Sequence, residues 1–183
     1  MKKEIIVLLF LLAFGTLTVA QTKGDKIINN VWISADAYNV FSSKNPEKFT
    51  DIGFGLEVAY KTDKQIFSAS YSVHNGLDLS MRADGYNRFK LITMTYGTPL
   101  FEKNNFFFSG RLGPSYQVGW YRVYQSGYPR TIVDNSFYTL GLFGVIDIDI
   151  KLSKKLFTGL SFYGNLSRKH RFSGAKLGLK YKL

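Results

Sequence analysis

His74, Asp78 and Ser80 lie close together in this chain. A histidine, an acid and a hydroxyl are the groups that acyl transfer needs. The competing reading makes His74 a rim residue hydrogen-bonded to its neighbours. Chemistry of other kinds has little to work with. The chain has no cysteine, so there is no thiol and no thiolate-ligated metal site, and its two histidines give no metal centre to expect. The composition calls for no cofactor.

A second group of residues is basic. Ser167-Arg168-Lys169-His170-Arg171 is a cationic run, and Arg82, Arg122 and Arg130 fall in other polar stretches. Set at lipid-headgroup height, Arg82, Arg122, Arg130, Arg168, Lys169 and Arg171 could pair with lipopolysaccharide phosphates through charge-assisted bonds. The alternative is a solvated basic loop. The stretch from Arg122 to Ser136 carries Tyr124, Gly127, Tyr128 and Pro129, residue types common in contact loops; an ordinary surface loop fits as well. Nucleic acid is not an expected partner, because no stacking platform or motif accompanies the charge.

These residues must be positioned by strands, since eight stretches alternate with a period of two and no convincing amphipathic helix occurs. They run over about Val31 to Phe41, Asp51 to Lys61, Ile66 to His74, Asn87 to Tyr96, Phe106 to Tyr121, Phe137 to Lys151, Leu156 to Leu166 and Phe172 to Leu183. In the fourth, Arg88 and Lys90 set the polar face, which places Ile92 and Met94 on it too. Short connections (Lys61 to Lys64, Leu152 to Lys154, and a somewhat longer Gly97 to Asn105) alternate with longer ones (Ser42 to Lys48, Asn75 to Tyr86, Arg122 to Ser136, Ser167 to Arg171). Short turns at one end and long loops at the other is the asymmetry of a bacterial outer-membrane barrel.

Periodicity alone does not say which face is inside; a soluble lipocalin-like barrel would turn its apolar face inward. Three features favour a polar interior. The polar face carries Gly53, Gly55, Gly113, Gly141, Gly159, Gly174 and Gly178, as a narrow barrel requires. It also carries five acids (Asp36, Asp51, Glu57, Asp147, Asp149) and five bases (Arg88, Lys90, Arg111, Lys176, Lys180), suited to mutual pairing. The apolar face is free of charge in every strand's middle, where a charge would cost roughly 2–4 kcal/mol in lipid. Its aromatics gather near strand ends. Tyr60, Tyr96, Phe106 and Tyr181 would mark the periplasmic interface; Tyr38, Tyr71, Phe89, Trp120, Tyr138 and Phe162 the outer one. Pro114 fits worst and is expected near the outer rim, with a bulge.

The chain resembles the small eight-stranded outer-membrane barrels, such as OmpX, its adhesin relatives and the OmpA membrane domain. The motif that carries this is the final strand, with Ala175, Leu177, Leu179, Tyr181 and Leu183 at alternate positions. The resemblance implies an assembly signal at Leu177, Leu179, Tyr181 and Leu183, read by the barrel-assembly machinery, although the family usually ends on Phe or Trp. It implies an all-β fold, an eight-stranded antiparallel up-and-down transmembrane β-barrel preceded by a cleaved signal peptide, in the outer membrane of a Gram-negative bacterium; because the sequence ends with the barrel, a peptidoglycan-binding domain of the OmpA kind is not expected. Two such barrels modify lipid A, but the deacylase pattern wants a Ser two residues after its His. Neither His74, followed by Asn75-Gly76, nor His170, followed by Arg171-Phe172, has one.

Lys2 and Lys3, the apolar run Ile5 to Phe14 and Thr18-Val19-Ala20 read as a signal peptide over residues 1–20, leaving the barrel as 21–183. Without Lys2, Lys3 and Glu4, the 24 basic and 13 acidic side chains become 22 and 12, a net charge of +10. The expected activity is structural, adhesin-like or accessory, exerted through the long loops on outer-membrane lipid, lipopolysaccharide, another envelope protein or a host surface. The alternatives are a lipid A modifying enzyme at His74 and a narrow channel. An eight-stranded barrel is filled by its own side chains, which counts against the channel.

Overall fold

In a computed structural model, the described residues are 30–42, 50–77, 87–125, 131–169 and 171–183. They form eight strands: β1 (Val31–Ser42), β2 (Thr50–Lys61), β3 (Ile66–Leu77), β4 (Asn87–Lys103), β5 (Phe106–Gln125), β6 (Thr131–Lys151), β7 (Leu156–Ser167) and β8 (Phe172–Lys182). Each is antiparallel to its sequence neighbours, and β8 returns to β1 to close the barrel. The closing ladder runs from Trp32↔Lys182 to Ser42↔Phe172, and the Leu183 amide adds a bond to the Val31 carbonyl. Closure leaves no open edge along this seam, the condition for burying a sheet in lipid. The expected signal peptide lies outside the described residues.

The side chains sort by parity, and the polarity is inside out. Phe54, Leu56, Leu140, Leu166 and Leu177 point outward and are 62–74% exposed, whereas Asp36, Glu57, Arg111, Asp147 and Lys176 point inward and are buried. A face of exposed leucine and phenylalanine around a buried charged centre is unstable in water and stable in hydrocarbon.

Four features depart from the sequence reading. First, β4 is turned over. Phe89, Leu91, Thr93 and Thr95 are buried, while Arg88 and Lys90 are exposed, with Ile92 and Met94 on their outward side. The inward hydroxyls explain the choice: Thr93 bonds Ser70 and Thr95 bonds Ser68, each at 2.7 Å across to β3. Second, Tyr38 and Phe89 do not belong to the outer girdle; they are 3% and 1% exposed and pack inside. The parity of Ser34 and Asp36 carries Tyr38 inward with them. Third, several strands are longer than their alternation suggests. β4 reaches Lys103 and turns in two residues, with Asn104 at φ 55°, a left-handed conformation that asparagine tolerates. β5 and β6 stay paired as far as Gln125↔Thr131, so most of the expected loop from Arg122 to Ser136 is ladder. Fourth, Pro114 carries no bulge and does not end its strand, which runs on to Gln125. The β4–β5 register is the same at Thr93↔Ser115 and Tyr96↔Leu112, with pairing interrupted between them; the bulge lies at Pro99/Phe101. A proline removes one ladder donor without adding a residue, so a gap in pairing suffices.

Candidate functional site

Two regions gather the residues singled out by chemistry: the barrel interior and the outer rim.

The interior is layered. At its middle, acids and bases alternate in one connected chain. Lys176 Nζ lies 2.8 Å from Asp36 Oδ2 and 3.1 Å from Glu57 Oε2. Arg111 donates through Nη1 to Glu57 Oε1 at 2.5 Å, and through Nη2 and Nε to Asp147 Oδ2 at 2.7 and 3.0 Å. Lys180 Nζ reaches Asp147 Oδ1 at 3.4 Å and Asp149 Oδ1 at 2.8 Å. Ser161 donates to Asp147 and Ser34 to Asp36. The order is therefore Asp36, Lys176, Glu57, Arg111, Asp147, Lys180, Asp149, with signs alternating throughout. Each base bridges two acids, which is how so many charges tolerate burial together.

Towards the long-loop end, the interior is aromatic. Tyr38, Val40, Phe89, Leu91, Phe137, Phe143, Val145, Tyr163 and Phe172 form one buried cluster. Phe89 and Phe172 lie 5.2 Å apart and Tyr38 and Tyr163 5.4 Å apart, ring centre to ring centre. Towards the short-turn end, Phe157 packs on Trp32 at 4.3 Å and on Phe107 at 5.4 Å, and Lys61 Nζ stands 4.2 Å over the Phe107 ring. The alternating faces reveal the charged layer. They hide the aromatic ones, because their apolar residues occupy positions of inward parity; parity counted from Ser34, Arg111, Asp147, Ser161 or Lys176 reaches those of β1, β5, β6, β7 and β8.

Of the sequence-nominated interior charges, Asp36, Glu57, Arg111, Asp147, Asp149, Lys176 and Lys180 meet in this network. Arg88 and Lys90 do not. They stand on the outward wall, because Phe89 and Leu91 take the interior positions of β4. The backbone of Asp51 pairs with Val40 and Gly76, and its side chain lies outside the described residues.

His74 is not a rim residue. It is fully buried, its ring stacks on Phe89 at 4.4 Å and 10° interplanar, and its Nε2 shares a 2.8 Å hydrogen bond with Ser72 Oγ. Tyr38 meets it edge-on at 5.1 Å. A general base must come within hydrogen-bond reach of the proton it takes; here the ring face lies against Phe89 and Nε2 is engaged by Ser72. Asp78 and Ser80, its nominated partners, lie outside the described residues. Among the described residues, no group of three or more His, Asp or Glu is disposed to hold a metal ion.

At the outer rim, Arg168, Lys169 and Arg171 are exposed. Arg171 Nε approaches the Ser167 carbonyl at 3.4 Å, and Lys169 Nζ lies 5.4 Å from the Tyr138 ring centre. Arg82, Arg130 and His170, and the side chain of Arg122, lie outside the described residues. At the opposite end, Leu177, Leu179, Tyr181 and Leu183 face outward on the closing strand, 64, 53, 46 and 38% exposed.

Solved structures share this arrangement of strands. Ail, the attachment invasion locus protein of Yersinia pestis, superposes with a TM-score of 0.56 at 15% identity, over 82% of this chain and 95% of that one. Neisserial surface protein A gives 0.57 at 12%, over 84% and 96%. The outer membrane protein OprG of Pseudomonas aeruginosa gives 0.53 at 11%, over 84% and 97%. The chain has the fold of the small outer-membrane β-barrels. No family model matches its sequence, and no curated protein matches it either. In a barrel of this fold the outward band of Leu, Phe and Ile is the lipid-facing surface. By the length rule for such barrels, the tight turns at 62–65, 104–105 and 152–155 belong to the periplasmic end and the other connections to the outside.

Proposed function

We propose that this outer-membrane barrel is a non-enzymatic display protein, adhesin-like in its action, whose working part is the outer rim. The observation that carries the reading is the filled interior. Aromatic layers lie on both sides of a paired-charge layer, which supports an interior occupied by its own side chains. What remains for interaction is the outer end, and there the β5–β6 ladder continues beyond its neighbours. Among the described residues, β4 pairs with β5 from Asn87↔Tyr121 and β6 with β7 from Gly141↔Ser167, whereas β5 and β6 pair on to Gln125↔Thr131. Such a paired arm carries its backbone beyond the neighbouring strands. Ail, by name an attachment protein, is also known in complex with the heparin analogue sucrose octasulfate; a basic rim of the present kind suits a similar partner.

The test is to replace residues 122–134 by a tight turn and score attachment of bacteria displaying the chain to host-cell layers and to immobilised heparin. Loss of attachment with the barrel still folded is the expected result. Attachment unchanged by the shortened arm would remove this reading. A pull-down from native membranes addresses the accessory role: an envelope protein recovered with the intact chain and lost with the shortened arm would make the arm its docking element.

A further inference from the structure

The outer wall of β4 breaks the charge rule that the other strands keep. Among strand residues with described side chains, and above the bulge at Pro99/Phe101, the outward positions carry no charge apart from Arg88 and Lys90. Two residues apart on one strand, they point the same way with their Cα atoms about 7 Å apart. Arg88 is paired across to Trp120, and Lys90 to Val118, which is itself opposite Tyr138. Lys90 and Tyr138 are therefore two strands apart, about 10 Å along the wall. Lys169, from the β7–β8 connection, stands over the Tyr138 ring. Towards the membrane centre the same wall turns apolar, with Ile92 on β4, Tyr71 on β3 and Tyr116 on β5.

We infer that Arg88, Lys90 and Lys169, spaced around Trp120 and Tyr138, form a seat for the phosphorylated headgroup of an outer-leaflet glycolipid. Cations held outward at the edge of a hydrocarbon band need anions at that height, and anionic headgroups supply them. The two aromatic side chains, apolar in body and polar at the tip, suit the level between headgroup and chain. Ile92, Tyr71 and Tyr116 continue the surface downward, where acyl chains would lie. A soluble anion would gain the charges but not that apolar continuation. The inference rests on the barrel reading and on the long-loop end facing outward. It does not depend on what the β5–β6 arm binds.

The experiment uses the full chain folded into phosphatidylcholine discs containing a minority of purified bisphosphorylated lipid A. Lipid A retained per barrel is measured by mass spectrometry after detergent exchange. Loss of two surface cations, in R88Q/K90Q, is expected to weaken retention about thirtyfold, and K169Q about fivefold. K64Q/K154Q, at the short-turn end, is expected to leave it unchanged. Each protein is first shown to migrate as a folded barrel on an unheated gel. Equal retention by R88Q/K90Q and the unaltered chain overturns the proposal. So do equal retention of dephosphorylated lipid A, a loss in K64Q/K154Q as large as in R88Q/K90Q, or full displacement by millimolar inorganic phosphate, which would mark a soluble-anion site. Should R88Q/K90Q fail to fold, K169Q reads the same contact from the other side, and unchanged retention in it is decisive against. A folded barrel that ignores lipid A removes this seat alone, whereas a chain soluble without detergent removes the barrel reading itself.

Discussion

Arg111 is held by Glu57 and Asp147 at once, and both acids are buried. Removing the guanidinium leaves two carboxylates facing each other without water, so Arg111→Met is expected to destabilise the barrel by about 3–5 kcal/mol. The check is a shift of the urea unfolding midpoint in lipid vesicles; an unmoved midpoint would mean that the network is hydrated. His74 makes the contrasting case. Its described neighbours include the rings of Phe89, Tyr38 and Phe172 and the Ser72 hydroxyl, so His74→Ala is expected to lower stability by roughly 1–3 kcal/mol. The lipid A profile of cells carrying it, read by mass spectrometry, is expected to stay unaltered, and a changed profile would restore the acyl-transfer alternative. The sequence shows why these two histidine readings diverge. The nearness of His74 to Asp78 and Ser80 along the chain says nothing of direction, whereas its parity with Ser68, Ser70 and Ser72 points it inward.

Close approach of strands is an element-scale property, and glycines report it. A Cβ on Gly113 would run into the Met94 carbonyl, and one on Gly178 into the Asp36 carboxylate, whereas at Gly110 it would meet only Leu100 Cδ1 at 3.5 Å. Gly113→Ala is accordingly expected to cost roughly 1–3 kcal/mol and Gly110→Ala less than about 0.5 kcal/mol. The fraction of heat-shifted barrel on a gel separates them, and equal behaviour would contradict the packing. Seven of the eight strand faces were legible from alternation, because a lipid-facing side chain and an interior one differ so much in polarity. β4 was not. Its cations sit outward near the long-loop end of the wall, and its inward Phe89 and Leu91 join an aromatic layer rather than the charges. The β5–β6 arm was hidden for a related reason: above the membrane both faces of a hairpin meet water, so alternation weakens although pairing continues.

For the molecule as a whole, filled layers predict electrical silence. Planar bilayers holding the folded barrel are expected to show no steady conductance, and reproducible single-channel steps would revive the channel alternative. The alternating chain of interior charges bears finally on how such a barrel comes to exist. Its links join residues far apart in sequence: Asp36 to Lys176 spans 140 positions and Glu57 to Lys176 spans 119. Neither link can form before β8 meets β1. Until that moment Asp36 lacks its base and Glu57 has Arg111 alone, and water must attend them. The last strand is thus a clasp, and a slip of one residue in fastening it would swing Lys176 and Lys180 out into hydrocarbon. Assembly should accordingly end in a single abrupt event, with half-fastened forms too costly to linger.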